Sequence, residues 1–207
     1  MNSTINNINL SGNSISDEGV ITIAEFLQVN ATITRIYLRC NSIGNKGAIV
    51  IANALKSNST VTEIILGENS IGHEGAIALA ETLKVNSTIT KINLKFRHIG
   101  NEGAVAFAHA LTINSTVTWI SMFANSIGSN GILALADMLK ENDTITLIKL
   151  GGNCLSIEGA MVFADAAKQN FENVDVNLET DVSFPGLNLL SITRNSKGNS
   201  RTLNISF

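Results

Sequence analysis

The chain is short of several things that would otherwise steer its reading. One proline in 207 residues leaves no material for proline-rich linkers and argues against a string of domains. No apolar run approaches the roughly 20 residues that span a bilayer, so no membrane partner is expected. The opening Met1-Asn2-Ser3-Thr4-Ile5-Asn6-Asn7 has neither the charged n-region nor the apolar h-region of a signal peptide. The reading is therefore cytoplasmic, with delivery into a host cell left open. Neither sign of charge dominates: a net charge of −3 with 15% charged residues gives no pull toward nucleic acid, which recruits a basic face. What is abundant is apolar residues, 44% of the chain, enough for a core and too many for wholesale disorder.

The organising feature is an internal period of 28 residues that runs through six units. Asn13, Asn41, Asn69, Asn125 and Asn153 fall in one column, broken only by Arg97. Gly19, Gly47, Gly75, Gly103, Gly131 and Gly159 form a second column, and Ala24, Ala52, Ala80, Ala108, Ala136 and Ala164 a third. A fourth holds Asn30, Asn58, Asn86, Asn114, Asn142 and Asn170.

Each unit has two halves. The first reads apolar-x-x-apolar-x-apolar-x-x-Asn, as in Ile33, Ile36, Leu38 and Asn41, and its alternation predicts a short strand. The second carries Ala48, Ile51, Ala52 and Leu55 at helical spacing, and predicts a helix with one apolar face. The Asn that follows, Asn58 in this unit, suits a left-handed helix end. This motif resembles the leucine-rich repeat, and the 28-residue length with a full helix resembles its ribonuclease-inhibitor-like subclass. The resemblance covers residues 1–179. It implies an α/β, right-handed solenoid, a horseshoe segment with a parallel β-sheet on the concave face and helices on the convex face.

Physical reasons for the columns follow. Strands stack about 4.8 Å apart and helices need about 10 Å, so the stack must curve with its strands inside. The Ala column lets each helix lie close to the sheet. The Gly column is read as tight backbone where the loop meets the helix. The first Asn column forms a structural ladder, its amides bonding backbone groups of the turn that would otherwise be buried unpaired.

Both ends depart from the pattern. Asn2-Ser3-Thr4 matches Asn30-Ala31-Thr32, so the chain opens inside a repeat, and an uncapped edge invites weak self-association. Residues 180–207 break the period and are expected to form a divergent C-terminal cap. There Leu190–Thr193 and Leu203–Phe207 read as a β-hairpin around Asn195–Asn199. The competing reading makes Leu187, Leu190, Ile192 and Asn195 one more repeat strand.

No catalytic, metal or cofactor motif is present: no phosphate loop with lysine, no His-Glu-x-x-His and no Cys-x-x-Cys. Cys40 and Cys154 lie four units apart, about 19 Å, beyond disulfide reach. Neither shares a unit with a histidine, so a nucleophile role lacks its base. Asn-x-Thr sequons recur at Asn2, Asn30, Asn58, Asn86, Asn114 and Asn142, where helix termination explains them better than glycan attachment.

The candidate site is the concave face. Strand residues that project there are Arg35, Tyr37, Arg39, Glu63, Ile65, Lys91, Lys95, Trp119, Phe123, Leu147 and Lys149, with Phe96 just beyond its strand. The only Trp and only Tyr of the chain fall here, and aromatics among cations are the composition of an interface hot spot. Arg97 and His98 break their columns beside this cluster; a decayed repeat would break them too. The reading is a non-catalytic module that binds a partner protein on its concave face. A self-assembling structural repeat protein and a bacterial effector that binds a host protein stand as alternatives.

Overall fold

The computed structural model describes residues 4–95, 98–170, 174–177 and 191–194, with backbone alone for 157–158, 167–170 and the last two strands. Strand and helix alternate: β1 Asn7–Asn9, α1 Asp17–Val29, β2 Arg35–Tyr37, α2 Asn45–Ser57, β3 Glu63–Ile65, α3 His73–Leu83, β4 Lys91–Asn93, α4 Gly100–Ile113, β5 Trp119–Ser121, α5 Ser129–Glu141, β6 Leu147–Lys149 and α6 Ile157–Asn170. Strands β1 to β6 pair in parallel, each residue opposite the one 28 positions on, as in Asn7 with Arg35 and Trp119 with Leu147. Each helix packs on the next. The core between sheet and helices is built from repeated columns: Ile36, Ile64, Ile92, Ile120 and Ile148 from the strands meet Ala52, Ala80, Ala108 and Ala136 from the helices, all essentially buried.

The sheet does not end as the repeat pattern suggests. A strand β7 forms at Val174–Asn177, but β8 at Ser191–Arg194 inserts between β6 and β7 and runs antiparallel to both. The reading of 187–195 as one more parallel repeat strand is therefore wrong. The expected hairpin partner at 203–207 lies outside the described residues; the partner observed is β7. The seventh unit carries Glu179 where the ladder column has Asn.

Side-chain ladders hold the units in register. The Asn69 oxygen accepts from the Ile43 N–H at 3.1 Å while its nitrogen donates to the Leu38 and Leu66 carbonyls at 2.8 Å. Asn41 and Asn153 repeat this, each accepting two backbone N–H groups of the unit before it. The column at helix ends makes a second ladder, which corrects the left-handed expectation. Asn30, Asn58, Asn114 and Asn142 are extended, with φ from −77° to −87°. Extended backbone aims the Asn58 nitrogen at the Leu27 carbonyl of the preceding unit, 2.7 Å away, and its oxygen at the Thr60 and Val61 N–H groups. Asn58, Asn114 and Asn142, buried and bonded in this way, are closed to glycan attachment.

A third ladder caps helices from outside. The Gly44 and Gly72 N-caps have no side chain, and Asp17 and Asn45 of the preceding units accept their N–H groups at 2.6 and 2.7 Å. A fourth runs along the sheet, each Thr hydroxyl of Thr34, Thr62, Thr90, Thr118 and Thr146 donating to the carbonyl 28 residues earlier.

The Gly column at the helix starts has a different cause from the one expected. None of its members has a positive φ. A Cβ on Gly75 would stand 2.8 Å from the Ala48 Cβ and 2.9 Å from the Ile71 Cγ2, and one on Gly131 2.6 Å from the Ile127 Cγ2. At Gly75 and Gly131, close approach of the preceding helix and of the isoleucine in the unit's own loop, not backbone conformation, demands glycine.

Candidate functional site on the concave face

Pleating sends the first and third residues of each short strand out of the core, and the parallel register lines them into rows. One row runs Arg35, Glu63, Lys91, Trp119, Leu147; the next runs Tyr37, Ile65, Asn93, Ser121, Lys149. A third row, just past the strands, holds Arg39, Gly67, Lys95 and Phe123. Arg35, Arg39 and Lys91 are exposed, and Tyr37, Glu63, Ile65, Lys95, Trp119, Leu147 and Lys149 are half-buried. Phe123 differs from expectation: it is 7% exposed, part of the packed floor rather than an exposed aromatic. Phe96 and Arg97 lie outside the described residues, and His98 Nδ1 stands 3.2 Å from the Ser126 hydroxyl.

The rows divide by character. Units two to four carry paired charge, with Arg35 3.7 Å from Glu63. Glu68 gathers Arg39 at 2.6 Å and Lys95 at 3.5 Å, and accepts the Cys40 thiol. Glycine at 67 makes room for this, since a Cβ there would sit 2.7 Å from the Lys95 Cγ. Among the described residues no carboxylate comes within ion-pair reach of Lys91 or Lys149. Units five and six carry the apolar Trp119 and Leu147 in one row, with Trp119 flanked by Lys91 and Leu147 across the ladder, and Ser121 and Lys149 in the next.

The Glu68 group was not foreseen as a unit. Cys40 and Glu68 sit at φ 54° and 60°, in a column where Gly12 and Gly152 adopt 73° and 70°. A side chain in the left-handed region costs about 1 kcal/mol, so these two positions hold functional groups where glycine would be easier. The glycines at both ends of that column were the available signal. Partial burial would raise the Glu68 carboxyl, but the Cys40 and Arg39 hydrogen bonds and the Arg39 and Lys95 charges outweigh it and hold it below the usual carboxylate value. The hydrogen bond to Glu68 pushes the Cys40 thiol up, with burial and the Glu68 charge adding to it. Its own hydrogen bond to Glu68 pushes Arg39 up against a smaller opposing effect of burial. Both cysteines are free and exposed. With its thiol held protonated, Cys40 is a poor nucleophile.

A family model described as Leucine Rich repeat matches residues 2–24, 29–52, 57–80 and 85–108. The chain is a leucine-rich repeat protein. Its solved structural neighbours agree on the fold of these leucine-rich repeats. The leiomodin-1 actin-binding site 2 superposes with a TM-score of 0.53 at 21% identity, covering 82% of each chain. A tropomodulin C-terminal domain from Caenorhabditis elegans superposes with a TM-score of 0.58 at 13% identity, covering 74% of this chain and 93% of that one. No curated protein sequence matches the chain. Among the described residues no helix is long and apolar enough to cross a membrane, and no three metal-ligating side chains come together.

Proposed function

We propose that this leucine-rich repeat protein is a non-catalytic module that binds a partner protein on its concave face, with the repeats of the ribonuclease-inhibitor-like subclass. The observation that carries the proposal is the row in which half-buried Trp119 lies between Lys91 and Leu147, with half-buried Tyr37 and Ile65 three and two strands away in the adjoining row. Half-buried aromatics keep a contact surface while losing little conformational freedom on binding, which is how hot spots form. Lys91 and Lys149, with no carboxylate of the described residues within ion-pair reach, favour a partner that brings acidic groups to the aromatic end. Three of the five concave cations are paired with Glu63 and Glu68, which supports a protein partner over nucleic acid.

The test is affinity capture with the native protein against a Tyr37→Ser, Trp119→Ser, Leu147→Ser variant, with thermal melts matched. Phe123 is left intact because its burial would confound stability with binding. A protein retained by the native form and lost from the variant supports the concave site; equal retention refutes it. Actin belongs among the purified probes, since the leiomodin neighbour is an actin-binding site; identity of 21% carries the fold only.

Weak self-association is the second reading, favoured by an apolar cleft of about 300 Å³ at the β1 edge, lined by Ile5, Ile8, Phe26, Val29 and Ile33. Ile5 is 51% exposed, whereas Ile33, Val61, Ile89, Val117 and Ile145 of the same column are buried. Light scattering that shows a monomer at high concentration removes this reading.

A further inference from the structure

The convex surface carries a pattern that the concave site does not use. The fifth residue of α1, and its equivalent in each later unit, is large and apolar: Ile21, Ile49, Ile77, Val105, Leu133 and Met161. These side chains point away from the core. Ile21, Ile49, Leu133 and Met161 are 45%, 38%, 42% and 57% exposed, and Ile77 and Val105 are half-buried. Parallel stacking of the helices places the six in one line across the back of the solenoid. Nothing in the core requires an apolar residue there, and a polar one at any of the six would improve solubility.

Charge frames the stripe on both sides. Three residues before it on the first five helices the column reads Glu18, Lys46, Glu74, Glu102 and Asn130; four residues after it on all six the column reads Glu25, Asn53, Glu81, His109, Asp137 and Asp165. Those rims carry seven carboxylates and one ammonium, against a net charge of only −3 for the whole chain. Glu81 and Asp137 pair with lysines three residues further on, 2.5 and 2.7 Å away. A stripe so framed repels an anionic lipid surface and repels a second copy of itself. Its complement is apolar and cationic.

Spacing then selects the form of the occupant. Packed helices stand about 10 Å apart, and seven residues of an α-helix rise about 10.5 Å. A helix laid across the stack therefore presents one residue of a heptad seam to each unit in turn. An extended strand returns its side chains to one face every 6.6 Å or so and falls out of step. We propose that the convex stripe is a second docking surface, for an amphipathic helix whose apolar seam repeats every seven residues between cationic flanks.

Fluorescence anisotropy with a labelled five-heptad peptide, Leu at the seam and Lys at its flanks, tests this, with a peptide of the same seam and Glu flanks as comparison. The Lys-flanked peptide is expected to bind the full chain and weaken at least tenfold in an Ile49→Asn, Leu133→Asn variant, while the Glu-flanked peptide does not bind. A Glu25→Gln, Glu74→Gln, Glu102→Gln variant leaves every apolar contact in place and should weaken the same peptide severalfold, which guards against a folding artefact. A Tyr37→Ser, Trp119→Ser variant should bind as the native chain does. The proposal is overturned if neither peptide binds, if both bind equally, or if the stripe variant binds like the native protein. Binding to vesicles of phosphatidylserine in preference to the peptide would overturn it in favour of a membrane.

Discussion

Replacing Asn69 by alanine removes the amide that joins three backbone groups of two units. Asn69 is 1% exposed, and its loss leaves the Ile43 N–H without its acceptor and the Leu38 and Leu66 carbonyls without that donor. Each buried polar group left unpaired costs about 1–3 kcal/mol. Some relief comes from water entering the space left by the side chain, so the expected loss is about 3–5 kcal/mol. Asn13 is the internal control: it is exposed and its side chain makes a single bond, to the Ser11 carbonyl at 3.1 Å, so Asn13→Ala should cost under about 1 kcal/mol. Urea unfolding measures both, read as the midpoint shift at constant slope. With a slope near 3 kcal/mol per molar, the Asn69 variant should unfold roughly 1 to 1.7 M earlier. Equal shifts for the two variants would refute the claim that the buried amide, rather than the residue type, holds the units together.

Further outcomes follow from the same geometry. Gly75→Val should cost about 1–3 kcal/mol through overpacking against Ala48 and Ile71, and an unchanged midpoint would contradict the close approach of helices. Gly12→Ala, at φ 73° with nothing within 4 Å of the new Cβ, should lose only the backbone component, about 1–2 kcal/mol. The Glu68 carboxyl titrates lower in the folded chain than in the unfolded one. Its contribution to stability is therefore complete above the unfolded value and fades as pH falls through the folded value. Carbon-detected NMR titration should find its midpoint below 4.5, the ordinary value, and higher in an Arg39→Ala variant. Glu68→Gln should speed alkylation of Cys40 by iodoacetamide at fixed pH, because the group that chiefly holds the thiol protonated is gone; an unchanged rate would show that Glu68 does not govern the thiol.

Much of the fold was legible because a stacked repeat writes each contact once per unit. The 28-residue spacing of Asn41 and Asn69, and the helical spacing of Ala48, Ile51, Ala52 and Leu55, report burial directly. Bonds that cross from one unit to the next were harder to see, since their partners lie 26 to 31 residues apart and leave no local pattern. The trans caps from Asp17 and Asn45 are of this kind. The Thr34 to Thr146 column was visible as a repeat, but threonine in a strand is ordinary and gave no hint of its hydroxyl ladder. At the site, the row positions of Trp119 and Tyr37 followed from alternation alone. The burial of Phe123 did not, because it depends on neighbours in three dimensions. Nor did the Glu68 cluster, which needs left-handed backbone at Cys40 and Glu68. Closure of the sheet by an antiparallel β8 depends on which strand reaches the β6 edge, and no period encodes that.

The concave reading is tested most directly by hydroxyl-radical footprinting of the chain alone and in complex with the protein that it captures. Three reactive side chains report on two faces: Tyr37 and Trp119 on the concave sheet, and Met161, 57% exposed, on the helices behind it. The account predicts that complex formation slows oxidation of Trp119 and Tyr37 severalfold and leaves Met161 at its free rate. Oxidation of Trp119 and Tyr37 at the free rate in a complex shown to be saturated would contradict it.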